Sequence, residues 1–330
     1  MSRPEPSRTD PLLSLRDVTV ALRDGAREMV TGVSFSVGRG EIFGIVGESG
    51  SGKTMLTRTL FGLHDDAVVA GGEVTFDGKR VPVQGYQRQM RRLLGRRIGL
   101  IAQDPFSSLN PAMRVGRQIA EALYLGRGIP MRSARARAIA IDLLRDVGID
   151  EAERAVDQYP DQFSGGMRQR IVIAMALSQE PQLLIADEPT TALDAITQRR
   201  IVDLIVARSR TRGVSVILIS HNLELLRQSV DRVAVLYGGL LLNLLPASEI
   251  GTRPAHPYTE ALLACLPGRV RRIEDIRAIP GDPVGAGAGR IGCAFAPRCA
   301  HAADACATGT LPLNDGLAGR FSACLRGMGE

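Results

Sequence analysis

Two segments of this chain carry residue types that suit phosphate and metal chemistry. Ser164, Gly165 and Gly166 open a predicted helix, and an apolar strand shortly after them ends in Asp187 and Glu188. Bare glycines at a helix start let a phosphate approach backbone N–H groups, where the helix dipole favours an anion. In the carboxylate pair, we expect Asp187 to hold Mg²⁺ and Glu188 to polarise an attacking water as general base. The alternatives are an ordinary capped helix and an exposed acidic turn.

A glycine-rich loop upstream has the context of a phosphate-binding loop. The mostly apolar strand 41–46 runs into it, and a predicted helix over 55–61 follows. The loop residues are Gly47, Glu48, Ser49, Gly50, Ser51, Gly52, Lys53 and Thr54. We expect backbone N–H groups to surround the β-phosphate, Lys53 to bridge the β- and γ-phosphates, and the Thr54 hydroxyl to ligate Mg²⁺.

A histidine follows another buried strand. Residues 214–219 are apolar, and Ser220 and His221 come directly after them. A lone histidine is more often structural, but the carboxyl end of a core strand in a nucleotide-binding fold is where ligands bind. His221 is therefore predicted to sense the γ-phosphate.

The elements that must position these residues alternate between strands and helices, as in an α/β fold. Apolar residues at three- and four-residue spacing predict helices over 115–125 and 133–147, the second stopped by Gly148. These helices separate the phosphate loop from the acidic strand, so they indicate an inserted helical subdomain at about residues 105–165. Predicted strands are 13–22, 33–37 and a hairpin over 233–246.

Charge and hydropathy bear on location and partners. The net charge is +6, but basic residues are interleaved with acidic ones, which is typical of solvated helix faces or contacts with lipid or a partner. We therefore expect no nucleic-acid partner. No apolar run reaches the roughly 20 residues of a membrane helix. The polar N-terminal tail, residues 1–11, lacks the apolar core of a signal peptide, so the chain is expected in the cytosol.

The motifs in their order resemble the ATP-binding subunits of ABC transporters, from about residue 12 to 250. The phosphate loop matches Walker A, Gln103 the Q-loop, 163–167 the signature, and 183–188 Walker B. Thr191 to Asp194 match the D-loop, and His221 the switch histidine. The resemblance implies a P-loop NTPase fold with a RecA-like core, an antiparallel β subdomain and the helical insertion. It also implies ATP and Mg²⁺, with Gln103 near the metal, and two nucleotides sandwiched between two such subunits.

Finer features resemble the oligopeptide/dipeptide importer branch. They are Gln103 to Phe106, Met167 in the signature, His256 to Thr259, and the tail pattern of Pro280-Gly281 with Gly292 to Phe295. This branch implies a second ATPase subunit, identical or sister, two membrane permeases and an extracytoplasmic solute-binding protein, with the ATPase peripheral at the cytoplasmic face of the inner membrane. Nickel importers are close relatives. Two departures are Ala21-Leu22, where an aromatic usually stacks on adenine, and Asn222 in place of the usual Asp.

The region 251–330 forms a predicted small C-terminal region that holds every cysteine. Cys265 stands alone and is predicted to be a small buried residue on a helix. The other four are Cys293, Cys299, Cys306 and Cys324. Their spacing is not that of zinc ribbons, and disulfides are rare in the cytosol. The branch resemblance implies a [4Fe-4S] site, while zinc and free thiols remain alternatives.

Two further function classes compete with transport. A soluble ABC ATPase of DNA repair or translation commonly carries two cassettes or a long coiled-coil insertion, and the sequence has neither. A regulatory or redox-sensing module built on the tail cysteines is compatible with transport and would be distinguished by cysteine-to-serine variants.

Overall fold

A computed structural model describes residues 10–25, 27–190, 193–252, 256–266, 278–287, 292–312 and 319–325. The chain divides into a first unit, Met1–Arg91 with Ser220–Glu330, and a second unit, Arg92–Ile219. The elements in chain order are β1 (Leu13–Leu22), β2 (Glu28–Val37), β3 (Ile42–Val46), α1 (Lys53–Leu60), β4 (Ala67–Phe76), β5 (Lys79–Val81), α2 (Tyr86–Leu93), β6 (Ile98–Ile101), α3 (Pro105–Ser108), α4 (Val115–Arg127), α5 (Ala134–Asp146), α6 (Ala152–Ala155), α7 (Gly165–Ser178), β7 (Leu183–Asp187), α8 (Ala195–Arg212), β8 (Ser215–Ser220), α9 (Leu223–Ser229), β9 (Arg232–Tyr237), β10 (Leu240–Pro246), α10 (Pro257–Ala264), α11 (Asp304–Thr308) and β11 (Phe321–Ser322).

The first unit contains an antiparallel sheet in the order β2-β1-β4-β5. Its long strands alternate apolar and polar residues, and the apolar ones face the core, as in strands that are half buried. Phe35 of β2 stacks on Phe43 of β3 with 4.9 Å between ring centroids. This stacking fixes β3, the strand that leads into the phosphate loop, against the antiparallel sheet.

The same unit carries the strand order β11-β10-β9-β3. β3 runs parallel to β9, and β9 and β10 form the predicted hairpin. Gly238 and Gly239 make its turn with φ values of 57° and 84°, a region that favours glycine. Buried Asn243 of β10 donates to the Phe321 carbonyl and accepts from the Thr259 hydroxyl. The C-terminal region is thereby tied to the hairpin.

The second unit is built on parallel strands in the order β8-β7-β6. β7 is buried along its whole length, so its sequence is apolar without alternation up to Asp187. Helices α3, α4 and α5 pack against α7. Gly148 follows Val147, the C-cap residue of α5, and has a φ of 73°, which confirms it as the stop of that helix. The helical subdomain predicted at about 105–165 stays a prediction, and α3 to α6 lie within that range.

Two local predictions need correction. Helix α1 begins at Lys53, two residues before the predicted Met55, because the left-handed Gly52 lets the chain turn directly into the helix. Cys265 was predicted to be buried on a helix, but it is the half-buried residue that ends α10. Among the described residues, no helix is both long and apolar enough to cross a membrane.

Candidate functional site

The phosphate loop joins β3 to α1 in the first unit. Gly50 and Gly52 have φ values of 77° and 98°, conformations that an L side chain adopts with strain. Lys53 is 4% exposed, and its Nζ donates to the carbonyls of Gly47 and Glu48, both at 2.9 Å. The ammonium is thus held inside the loop rather than extended into solvent.

The start of α1 fits an anion. Ser133, Ser164, Asp194 and Asn222 cap their helices with a side chain, whereas the N-cap residue of α1 is Gly52, which makes no side-chain cap hydrogen bond. The first turn of α1 also lacks an acidic residue. The N–H groups at the positive end of a helix favour the binding of an anion such as a phosphate. The loop therefore has the donors that a nucleotide phosphate requires.

The predicted acidic pair lies at the end of β7 in the second unit. Asp187 is 4% exposed, and Glu188 follows it with a φ of 44°, unusual for a residue with a side chain. The Glu188 N–H donates to the Ile219 carbonyl at 3.2 Å, which holds it at the end of neighbouring β8. Nε2 of Gln103 donates to Oε2 of Glu188 at 3.4 Å. The structure thus brings together two residues that are far apart in the sequence.

Ser164 caps α7 as predicted. Its Oγ accepts from the Met167 N–H at 3.4 Å. A Cβ placed on Gly165 would have no described atom within 4 Å, and one on Gly166 would only touch Thr197 at 3.4 Å. The backbone at this helix start is therefore accessible from outside the second unit, which suits an approaching phosphate.

Asp194 and His221 occupy helix starts. Asp194 caps α8 by accepting from the N–H groups of Ile196 and Thr197, and the hydrogen bonding to Thr197 lowers the pKa of its carboxyl. The D-loop residues 191–192 lie outside the described residues. His221 is exposed in the first unit, directly before Asn222, whose side chain caps α9. Because Asn and Asp cap helices equally well, the departure from Asp keeps the local fold.

The predicted site residues fall into two sets. The first unit holds the phosphate loop and His221. The second unit holds Gln103, Asp187, Glu188, Asp194 and the signature residues Ser164, Gly165 and Gly166.

The sequence did not predict two residues that contact the phosphate loop: Tyr258 and Arg298 both hydrogen bond to Glu48. Tyr258 lies in a motif that marked the family, but nothing in the spacing pointed to its contact.

The four tail cysteines line one small cavity of about 20 Å³, together with His256 and His301. Burial raises the pKa of the Cys293 thiol, and the sulfurs of Cys299 and Cys306 raise it further. The thiol donor set suits iron or zinc. However, within the described part of the chain no three His, Cys, Asp or Glu side chains are grouped closely enough to hold a metal ion. The thiols are therefore of the right chemical type for a metal cluster, but their spacing in the described structure does not suit one.

His256 connects this cavity to the rest of the first unit. It is 2% exposed, and burial lowers its pKa to about 4, so the ring is neutral at neutral pH. Its Nδ1 accepts from the Tyr258 N–H at 3.1 Å, which places the ring proton on Nε2. Nε2 lies 3.7 Å from Sγ of Cys293, a position from which it donates to the sulfur.

Two family models match the chain. Residues 30–191 match the ABC transporter model, and residues 244–306 match the model described as the oligopeptide/dipeptide transporter C-terminal region. Together the two matches include the phosphate loop, Gln103, the signature, the acidic pair and the first three cavity cysteines.

Curated relatives extend over nearly the whole chain. The oligopeptide transport ATP-binding protein OppD of Escherichia coli is 39% identical over 98% of this chain and 95% of its own. OppD of Bacillus subtilis is 41% identical over 89% of this chain and 83% of its own. A probable peptide ABC transporter ATP-binding protein of Sinorhizobium fredii is 40% identical over 97% and 96%.

Solved structures share the fold. CbiO1 of Clostridium perfringens, described as part of the ABC transporter complex cbiONQ, has a TM-score of 0.62 and 25% identity over 74% of this chain and 91% of its own. The ATP-binding cassette MJ0796, solved as a dimer in a post-hydrolysis state with ADP and Pi, has a TM-score of 0.61 and 25% identity over 71% and 98%.

Proposed function

The chain belongs to the ABC transporter family, and on that premise we propose that it is the ATP-hydrolysing subunit of a peptide importer. The observation that carries the peptide assignment is the near full-length similarity to oligopeptide transport ATP-binding proteins, which includes the C-terminal region. The cassette alone would support only an ABC ATPase, because the same fold serves many transported solutes.

The chain's own residues suit ATP hydrolysis. We assign the loop from Gly47 to Thr54 to the phosphates, with Lys53 as the cation between the β- and γ-phosphates. Thr54, Asp187 and Gln103 would hold Mg²⁺, which neutralises developing phosphate charge when bound. Glu188 polarises the attacking water, and its bond to Gln103 orients the carboxylate. His221 contacts the γ-phosphate.

Two copies of the ATPase subunit, identical or sister chains, complete each site in this proposal. The open backbone at Ser164, Gly165 and Gly166 binds the γ-phosphate held by the partner's loop, and Asp194 caps α8, whose Thr197 lies beside Gly166. ATP binding then closes the dimer, and hydrolysis reopens it. The cassette spans residues 12–250 and the C-terminal region 251–330.

The proposed assembly contains two membrane permeases and an extracytoplasmic solute-binding protein, with this subunit peripheral at the cytoplasmic face of the membrane.

The alternative function is the same ATPase role in an importer of nickel or another small solute. Uptake by cells separates the two alternatives. Deletion of this gene should abolish uptake of a labelled oligopeptide and leave uptake of labelled Ni²⁺ unchanged, and the wild-type gene should restore peptide uptake. Loss of nickel uptake with normal peptide uptake would reassign the substrate.

We further propose that the cavity cysteines bind a [4Fe-4S] cluster. Support comes from the four thiols around one cavity and from the family of the C-terminal region. Because the thiols are not grouped closely enough to hold a metal ion where they lie in the described structure, cluster binding would have to bring them closer together.

Iron content tests this cluster. Protein purified anaerobically should absorb near 400 nm and contain about four iron atoms per chain. A Cys299→Ser variant should lose both signals, whereas Cys265→Ser should keep them, because Cys265 does not line the cavity. Wild-type protein without iron, or bound zinc in its place, would contradict the cluster.

A further inference from the structure

Glu48 of the phosphate loop is held by the C-terminal region at both its backbone and its side chain. Its N–H donates to the Tyr258 hydroxyl at 2.9 Å. Its carboxylate accepts from Nη1 of Arg298 at 2.7 Å and from Nη2 at 3.3 Å. These contacts join residues 210 and 250 positions apart in the sequence.

Arg298 donates a hydrogen bond from each of its five N–H groups. It is 7% exposed, and besides the two bonds to Glu48 it donates to the Tyr237 hydroxyl and to the Pro280 and Ile279 carbonyls. These five hydrogen bonds match the five N–H groups of a guanidinium. A buried lysine offers three donors and no fork, so it could not make the same set.

The carbonyls bound by Arg298 belong to a segment that also lies on the phosphate loop. In residues 278–287, the Val284 N–H donates to the Tyr237 hydroxyl at 3.0 Å, and the Ala286 N–H donates to the Gly50 carbonyl at 2.9 Å. Arg298 therefore binds the loop directly through Glu48 and fixes a second segment that contacts Gly50.

Glu48 is also one of the residues that hold the Lys53 ammonium in the loop. Nζ of Lys53 donates to the Glu48 carbonyl at 2.9 Å. The position of the Glu48 backbone therefore sets where the ammonium lies, and misplacement of a binding group by even about 1 Å weakens its interactions strongly.

We propose that Arg298, together with Tyr258, is a positioning residue through which the C-terminal region sets the ATP affinity of the phosphate loop. This inference rests on the proposed ATPase function and adds a determinant outside the cassette motifs. In this proposal Tyr258 acts through Glu48, and Arg298 acts through Glu48 and through the segment 278–287 that contacts Gly50.

The test compares MgATP binding and steady-state hydrolysis in purified full-length variants. Arg298→Met should raise the Kd and KM for ATP about tenfold, with a much smaller change in kcat, because it loosens binding rather than the chemical step. Arg298→Lys should recover only part of the affinity. In combination with Glu48→Gln, Arg298→Met should add less than its loss in the wild type, because the Glu48–Arg298 pair is already weakened and only the contact through the segment 278–287 remains to be lost.

The matched control is Arg232→Met. Arg232 forms a half-buried pair with Glu41 in the same unit, with Nε 2.7 Å from Oε1, but it contacts no phosphate-loop residue among the described ones. It should lower the melting temperature while leaving the Kd for ATP within about twofold. If Arg298→Met lowers the melting temperature as much as Arg232→Met does but leaves the Kd for ATP unchanged, the positioning role is wrong.

Tyr258→Phe keeps the test decisive if Arg298→Met does not fold. It removes the hydroxyl that accepts from Glu48 and retains the ring that packs 5.1 Å from Phe295. It should raise the Kd for ATP a few-fold, and an unchanged Kd would overturn the proposal. Failure of the wild-type chain to bind MgATP at all would instead reject the proposed ATPase function.

Discussion

Glu188→Gln is expected to reduce ATP hydrolysis by about 100- to 1,000-fold while leaving ATP binding intact. A general base contributes roughly 10²–10⁴ in rate, and an amide cannot accept the proton of the attacking water. Gln has the shape of Glu, so the backbone at Glu188, with its φ of 44° and its bond to Ile219, is preserved. Bound ATP should therefore persist and hold two subunits together.

The measurement combines phosphate release with the amount of ATP retained after rapid gel filtration. Glu121→Gln makes the same chemical change at an exposed position on α4 and should leave both readings at the wild-type level. Steady-state ATP hydrolysis by Glu188→Gln at a rate close to the wild type would show that Glu188 is not the general base.

Lys53→Met is expected to weaken ATP binding by about 100-fold or more, because hydrogen bonds to charged groups contribute roughly 1.5–3 kcal/mol each. The ammonium is buried and placed by the carbonyls of Gly47 and Glu48 at 2.9 Å, so it is preorganised inside the loop. Lys53→Arg should not restore binding, because a planar guanidinium does not fit a position shaped around a compact ammonium.

The chain supplies its own control for this prediction. Its other lysine, Lys79, is exposed on β5, so Lys79→Met should bind MgATP like the wild type. Binding is read by isothermal titration calorimetry, with thermal unfolding to verify that each variant is folded. A Lys53→Met protein with wild-type affinity would show that another group holds the phosphates.

The parts of the site that follow from neighbouring residues could be predicted from the sequence. The phosphate loop was predicted from its place between a strand and a helix, although α1 begins at Lys53 and not at the predicted Met55. Ser164 was predicted as a cap from its place before two glycines and a helical pattern, and its hydroxyl makes that bond. The buried strand before Asp187 was predicted from its continuous apolar run.

Contacts between distant residues could not be predicted in the same way. Arg298 and Glu48 are 250 positions apart, and neither has a pattern that names its partner. The family resemblance raised the possibility of a shared cysteine site, but only the folded C-terminal region shows that the four thiols line one cavity without being grouped closely enough, among the described residues, to hold a metal ion. The positive φ of Glu188 depends on its bond to Ile219 of a neighbouring strand, which a local pattern does not contain.

Peptide uptake in cells that carry Glu188→Gln in place of the wild-type gene tests most directly whether hydrolysis at this site drives import. The variant should be present at the wild-type level, should bind ATP, and should reduce uptake of the labelled peptide to that of the deletion strain. Uptake at the wild-type rate in these cells would contradict the central claim.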